Sequence, residues 1–176
     1  DLSVRHHFKT IGVAKAITSR VGNGPFIGEY GGEESEEYCK AEGGYKFVSE
    51  VEQKLYDVSE LLKSDNPMEV GIALRMLGGE YGATTKRPRR VGVLDLVLLR
   101  QNCQLNGVDE LYINKFDCLN QFAGSSLEGI PLIVGYKLDG KEIDYVPATI
   151  AERRRVEPIV DYAPLFTQDI SHVRKQ

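Results

Sequence analysis

The chain is predicted to fold as a mixed α/β protein, a β-sheet core with flanking helices and a C-terminal β-hairpin. Three observations predict it. Apolar, β-branched runs at 8–17, 111–113 and 130–138 have strand rather than helix length. Between them, apolar residues recur at helical spacing: Val51, Leu55, Val58, Leu61 and Leu62 in one segment, Val70, Ile72, Ala73, Leu74 and Leu77 in the next. Asp139-Gly140, set between two extended runs, is the strongest short-range hairpin signal present.

The elements follow in order. Residues 8–17 read as a buried strand, and the glycines from 22 to 32 as a loop. Glu33, Glu34, Glu36 and Glu37 predict a solvated helix or loop face. Ser49 leads the first amphipathic helix. The second starts with Pro67 in its first turn under an Asn66 cap and stops at Gly78-Gly79. A third helix is expected over 94–105, stopped by Asn106-Gly107. Residues 111–113 form a strand, 130–138 fold back on 142–146, 150–155 are helical, and 157–162 are extended.

A chain of 176 residues with 41% hydrophobic content is expected to be one domain, 1–176, with an ordinary core. Its net charge of −4 argues against general binding of nucleic acid. No signal peptide and no membrane-spanning apolar run is read, so no membrane contact and a cytoplasmic location are expected. Cys39, Cys103 and Cys118 are odd in number and lack Cys-x-x-Cys spacing, which predicts reduced thiols rather than zinc or disulfides. His6, His7 and His172 have no ligand neighbours at helical spacing and read as surface or terminal residues, so no metal site is expected.

Two segments carry chemistry. Asn114-Lys115-Phe116-Asp117 follows the apolar run at 110–113. A carboxylate at Asp117 can accept two parallel hydrogen bonds from N1–H and the N2 amino group of guanine, a donor pair that adenine lacks. Lys115 can lay its stem along the base. The same residue types are also ordinary turn formers after a strand. The second segment, Gly82-Ala83-Thr84-Thr85-Lys86-Arg87-Pro88-Arg89-Arg90, packs four cations into five positions behind two hydroxyls and a glycine. Guanidinium forks and hydroxyl donors are what carboxylates and phosphates need. Pro88 keeps Arg87 out of a helix, so these residues belong on a loop, and the glycine at its entry predicts that it is mobile when empty and ordered around a dicarboxylate. A solvated basic turn is the alternative reading.

With a third block, these segments resemble the adenylosuccinate synthetase family, whose members use GTP to join aspartate to IMP. Lys15-Ala16-Ile17-Thr18-Ser19-Arg20-Val21-Gly22-Asn23-Gly24-Pro25-Phe26 is similar to the family's Lys-Ala-Tyr-Thr-Thr-Arg-Val-Gly-x-Gly-Pro-Phe. Gly79-Glu80-Tyr81-Gly82-Ala83-Thr84-Thr85, with Arg87, Arg89, Arg90, Gly92, Leu94 and Asp95, is similar to its second block, and Lys115-Phe116-Asp117 to its Thr-Lys-Leu-Asp. The resemblance spans most of 11–166 and only the C-terminal part of the family's pattern. It implies that Thr84, Thr85, Arg87 and Arg89 bind the aspartate, with Arg89 also beside GTP. It also implies that Val21 and Gly22 contact the nucleotide ribose through backbone, and that Lys115 and Asp117 hold guanine. Arg20 and Glu80 read as structural charge partners beneath the loops.

GTP is thus expected as co-substrate, and Mg²⁺ in the complete enzyme with no ligand from this chain. The family's Gly-Asp-Glu-Gly-Lys-Gly segment and catalytic residues have no match, so the chain is expected to hold no catalytic residue and to be inactive alone. Its implied partners are aspartate, IMP, GTP, the N-terminal catalytic portion and a second copy in a homodimer. Residues 33–76 are longer than the family's usual connection and read as a helical insertion. Lys86 in place of glycine, Pro88 in place of arginine and Val93 in place of tryptophan depart from the pattern. A diverged, non-catalytic nucleotide- or carboxylate-binding homologue is therefore the alternative. An RNA-binding basic loop is disfavoured by the acidic balance and the absence of aromatic platforms near Arg87.

Overall fold

The computed structural model describes residues 8–40, 47–125 and 128–166, so His6, His7 and His172 lie outside it. The strand expected over 8–17 is shorter than that, and a second strand follows it beyond Ile17. β1 (Ile11–Lys15) ends where Ala16 and Ile17, 3% and 2% exposed, turn into the core, and β2 (Thr18–Arg20) leaves in a new direction. Further on come β3 (Arg90–Gly92), β4 (Leu94–Asp95) and β5 (Glu110–Asn114). β1 pairs in parallel with β5, Ile11 opposite Glu110 and Lys15 opposite Asn114, while β2 pairs antiparallel with β3. The expected burial of β1 is corrected. Ile11 is 55% and Val13 69% exposed, and Leu111 and Tyr112 of β5 are exposed as well. Parallel pairs are ordinarily covered on both faces.

The first predicted helix also splits, into α2 (Ser49–Leu55) and α3 (Val58–Leu61), after α1 (Gly32–Cys39). Tyr56 is extended, and Asp57 accepts from the N–H groups of Ser59 and Glu60 at 2.8 and 3.3 Å. A side-chain cap that satisfies two free amides starts a new helix more favourably than it continues an old one. The expected apolar face is corrected too: Leu55 is 59% exposed, while Glu52, on the next turn round, is fully buried. In α1, Glu33, Glu34 and Glu37 are solvated as expected, but Glu36 is not.

α4 (Pro67–Gly78) forms as predicted, with Asn66 capping and Gly79 ending it in the left-handed region at φ 60°. It is the hub of the larger core. Met68, Val70, Ile72, Ala73 and Leu74 meet Ala16, Ile17, Leu61, Leu62 and Val91, together with Leu119 and Phe122 from a 3₁₀ segment, Phe116–Gly124, that periodicity did not reveal. Asn66 Oδ1 accepts from Met68 N at 2.9 Å. Asn66→Ala should lower stability by about 1 kcal/mol and the melting temperature by about 2–4 °C. An unchanged midpoint in calorimetry would show that the cap contributes nothing.

The third predicted helix gives up its first two residues to β4. α5 (Leu96–Leu105) then starts under Asp95, whose carboxylate accepts from Leu98 N at 2.9 Å. β6 (Ile130–Leu138) is the centre of the largest sheet. β8 (Val156–Ala163) covers one of its edges antiparallel; β4, parallel, and β7 (Lys141–Ile143), antiparallel, share the other. Asp139 and Gly140 both take positive φ, 51° and 80°, which makes the expected hairpin turn. The returning strand is shorter than 142–146, and α6 (Ile150–Arg153), with a Thr149/Glu152 capping box, is shorter than 150–155. A second core cluster joins Val97 of α5 to Ile133 and Tyr136. Among the described residues, no helix is long and apolar enough to cross a membrane.

Candidate functional site

The basic loop runs from a short bridge between Tyr81 and Pro88, which closes its base. Gly82 N donates to Arg87 O, Lys86 N to Gly82 O, and Arg89 N to Glu80 O, all at 2.9 Å. Gly82 leaves room for the threonine: a Cβ there would lie 2.5 Å from Thr85 Oγ1 and would make that exposed hydroxyl turn away. Lys86 occupies the left-handed region at φ 57°. The residue that departs from the family's glycine thus adopts the backbone conformation glycine favours, at a cost of about 1–2 kcal/mol. Pro88 is buried in the bridge.

Behind the loop lies a cleft of about 520 Å³. Arg87, Arg89 and Thr85 form one wall, and Val21 and Gly22, in the turn after β2, form the facing one. Five of the six residues expected at the substrate thus meet in one place. Thr84 is exposed in the turn beside them and does not line the cleft. The Gly22 turn is held by two arginines. Arg20 donates to Pro25 O and Asn23 O, each at 2.8 Å, so its partners are carbonyl groups rather than the expected carboxylate. Arg90, 3% exposed, donates to Gly22 O and Gly24 O at 2.9 and 2.8 Å and forks onto Glu29. With its donors so occupied, Arg90 is a tie between the two walls. Asp95 is structural as well, capping α5 and accepting from the Tyr136 hydroxyl.

Arg89 is placed differently. Its Nη1 donates to Glu80 Oε2 at 3.1 Å, while its Nε is buried with no acceptor among the described residues. A buried donor left unsatisfied is costly, and an anion in the cleft would relieve it. Glu80, 3% exposed, also binds Lys15 Nζ at 2.7 Å. Burial by itself would raise its carboxyl, but Lys15, Ser19 and Arg89 hold it below the usual carboxylate value. A depressed folded-state pKa means stability that is present above the unfolded value and lost as pH falls through the folded one. The fold should therefore lose the Glu80 contribution below about pH 4.5. Urea unfolding across that range should show a shallower acid dependence in Glu80→Gln, and a slope equal to wild type would refute the ion-pair role.

Lys115 and Asp117 lie outside this cleft, at the C-terminal end of β5. Asp117 is exposed at the start of the 3₁₀ segment, and Lys115, at φ 61°, donates from Nζ to Gly78 O at 2.8 Å. The two expected half-sites are nonetheless linked. Lys15 ends β1 and Lys115 directly follows its parallel partner β5, and they reach Glu80 and Gly78, just beyond and at the C-terminus of α4. The carboxyl ends of parallel strands are the usual position for ligands in α/β sheets.

Sequence reasoning missed the third wall. Glu36, Cys39 and Lys40, at the end of α1, line the cleft. Glu36 accepts from Gly24 N at 3.0 Å and pairs with Arg90 at 3.3 Å. Burial pushes the Cys39 thiol up, with Arg75 partly opposing it. Their i, i+3, i+4 spacing marked one helix face, but the acidic run around them read as solvated. Among the described residues, no group of three or more His, Cys, Asp or Glu side chains comes together to hold a metal ion.

Comparison with known proteins adds to this geometry. Residues 1–176 match the family model described as adenylosuccinate synthetase. A curated relative from Cupriavidus pinatubonensis, adenylosuccinate synthetase 2, is 44% identical over 168 residues, 96% of this chain and 37% of that protein. The solved structure of fully ligated adenylosuccinate synthetase from Plasmodium falciparum aligns with a TM-score of 0.62 at 28% identity, over 97% of this chain and 32% of the other. The chain thus spans about a third of the length of these relatives.

Proposed function

The chain belongs to the adenylosuccinate synthetase family, the GTP-dependent ligases of purine biosynthesis, and we propose that it supplies such an enzyme with its aspartate- and guanine-binding walls. The observation that carries this reading is the single cleft in which Val21 and Gly22 face Thr85, Arg87 and Arg89. In it the guanidinium groups of Arg87 and Arg89 and the hydroxyl of Thr85, joined by Thr84 from the turn beside the cleft, bind the carboxylates of aspartate. Val21 and Gly22 present backbone to the ribose of IMP, and Arg89 also neighbours GTP. At the end of β5, Asp117 accepts from guanine and Lys115 flanks it, tied to α4 through Gly78.

These residues bind and orient; no catalytic role falls to any of them. The family uses Mg²⁺, for which no donor group assembles among the described residues, so no step here runs through it. The remainder of the family's length would bring the phosphate-binding and catalytic groups. The uncovered parallel pair, with Ile11 and Val13 exposed, supports a role for that remainder as a cover. Homodimerisation and a cytoplasmic location are part of the same proposal.

The test is an assay of the protein carried at the family's full length. Adenylosuccinate formation that requires IMP, aspartate and GTP together is the expected result. Nucleotide or aspartate binding without turnover would favour a diverged binding homologue, and neither would end the proposal.

A further inference from the structure

The loop at 82–88 is held by the helical segment that precedes it, at three points. Glu52 of α2 and Arg75 of α4 are 0% and 1% exposed. Arg75 Nη2 donates to Glu52 Oε1 at 2.8 Å, and Nε to Oε2 at 3.1 Å. Each partner then reaches one stem of the loop. Glu52 Oε2 accepts from the Tyr81 hydroxyl at 2.5 Å, just before the loop. Arg75 Nη1 donates to Arg89 O at 3.0 Å, just after it. The third point is the tip, where the backbone N–H of Ser49, first residue of α2, donates to Lys86 O at 3.2 Å.

A buried ion pair is a poor device for stability alone, because apolar residues of similar volume hold helices together as well or better. It does fix direction, since a guanidinium fork and a carboxylate accept only a few relative orientations. Here that orientation is passed to both ends of a loop in which the like charges of Lys86 and Arg87 are adjacent and repel one another. We propose that Glu52, Arg75 and Tyr81 are positioning residues that hold the arginine loop in its binding shape before any ligand arrives. None of the three lines the cleft. A loop splinted in this way loses less conformational freedom on binding. This is the opposite of the mobility expected from the glycine at its start.

Amide hydrogen exchange on the unliganded chain reads this directly. The N–H groups of Gly82, Lys86 and Arg89 are bonded within the loop and its stems, and the β6 amides from Ile133 to Tyr136, in the other core cluster, serve as reference. In wild type the loop amides should be protected. Tyr81→Phe, which removes one hydroxyl from the pair, should speed their exchange about tenfold while β6 stays unchanged. Glu52→Gln should do so more strongly, and if it fails to fold, Tyr81→Phe decides alone. Wild-type loop amides exchanging like an unstructured chain would overturn the proposal. So would variant loop amides that keep the wild-type rate or change only in step with β6.

A kinetic arm rests on the carboxylate reading of the cleft. In the full-length enzyme, Tyr81→Phe should raise the aspartate KM about tenfold with kcat nearly unchanged. Faster exchange with an unchanged KM would uphold the splint and count against the carboxylate reading alone.

Discussion

Asp117→Asn in the full-length enzyme should weaken GTP binding by about a hundredfold and create a preference for xanthosine triphosphate. The carboxylate at the start of the 3₁₀ segment is exposed, and therefore open to a base. It offers two acceptors to the N1–H and N2 amino group of guanine. An amide reverses one of these into a donor that faces another donor, and the unmatched pair costs more than the lost bond. Xanthine carries an oxygen at that position and restores the match. Competition between the two nucleotides measures the switch. Equal GTP affinity in wild type and variant would remove Asp117 from the guanine site and leave it a turn residue after β5.

Arg87→Leu should raise the KM for aspartate by roughly ten- to a hundredfold and move the KM for GTP much less. Charge-assisted hydrogen bonds of the kind a guanidinium makes to a carboxylate contribute on the order of 1.5–3 kcal/mol. The side chain is half-buried in the wall of the cleft, and leucine preserves most of its volume while removing the donors. Steady-state rates against aspartate concentration decide the matter. An aspartate KM at the wild-type value would make the segment a basic turn and nothing more.

Much of this molecule was legible in the chain itself. Asn66-Pro67 and Gly78-Gly79 bracket α4 because capping and left-handed termination are local properties of two or three residues. Asp139-Gly140 specifies its turn for the same reason. The blocks around Arg20, Thr85 and Asp117 carried the family, and with it the residues that meet in the cleft. Apolar periodicity was weaker where a polar group intervened. It ran one helix through Tyr56 and Asp57, because spacing does not register a side chain that captures backbone amides.

What the sequence determined by itself is therefore the local grammar: the caps, the hairpin, the strand-and-helix order and the residue types of the site. Only the tertiary structure decided which charges are buried and what they hold. Glu52 and Arg75, far apart in the chain and unremarkable in it, close on each other beneath the loop. Glu36 leaves an acidic run to meet Arg90. Arg89 keeps a buried donor with no acceptor among the described residues, while its neighbour Arg90 is wholly engaged. The physical reason is desolvation. A charge in a sequence reads as solvated unless a partner removes it from water, and that partner is chosen by packing between distant segments, which no local pattern encodes.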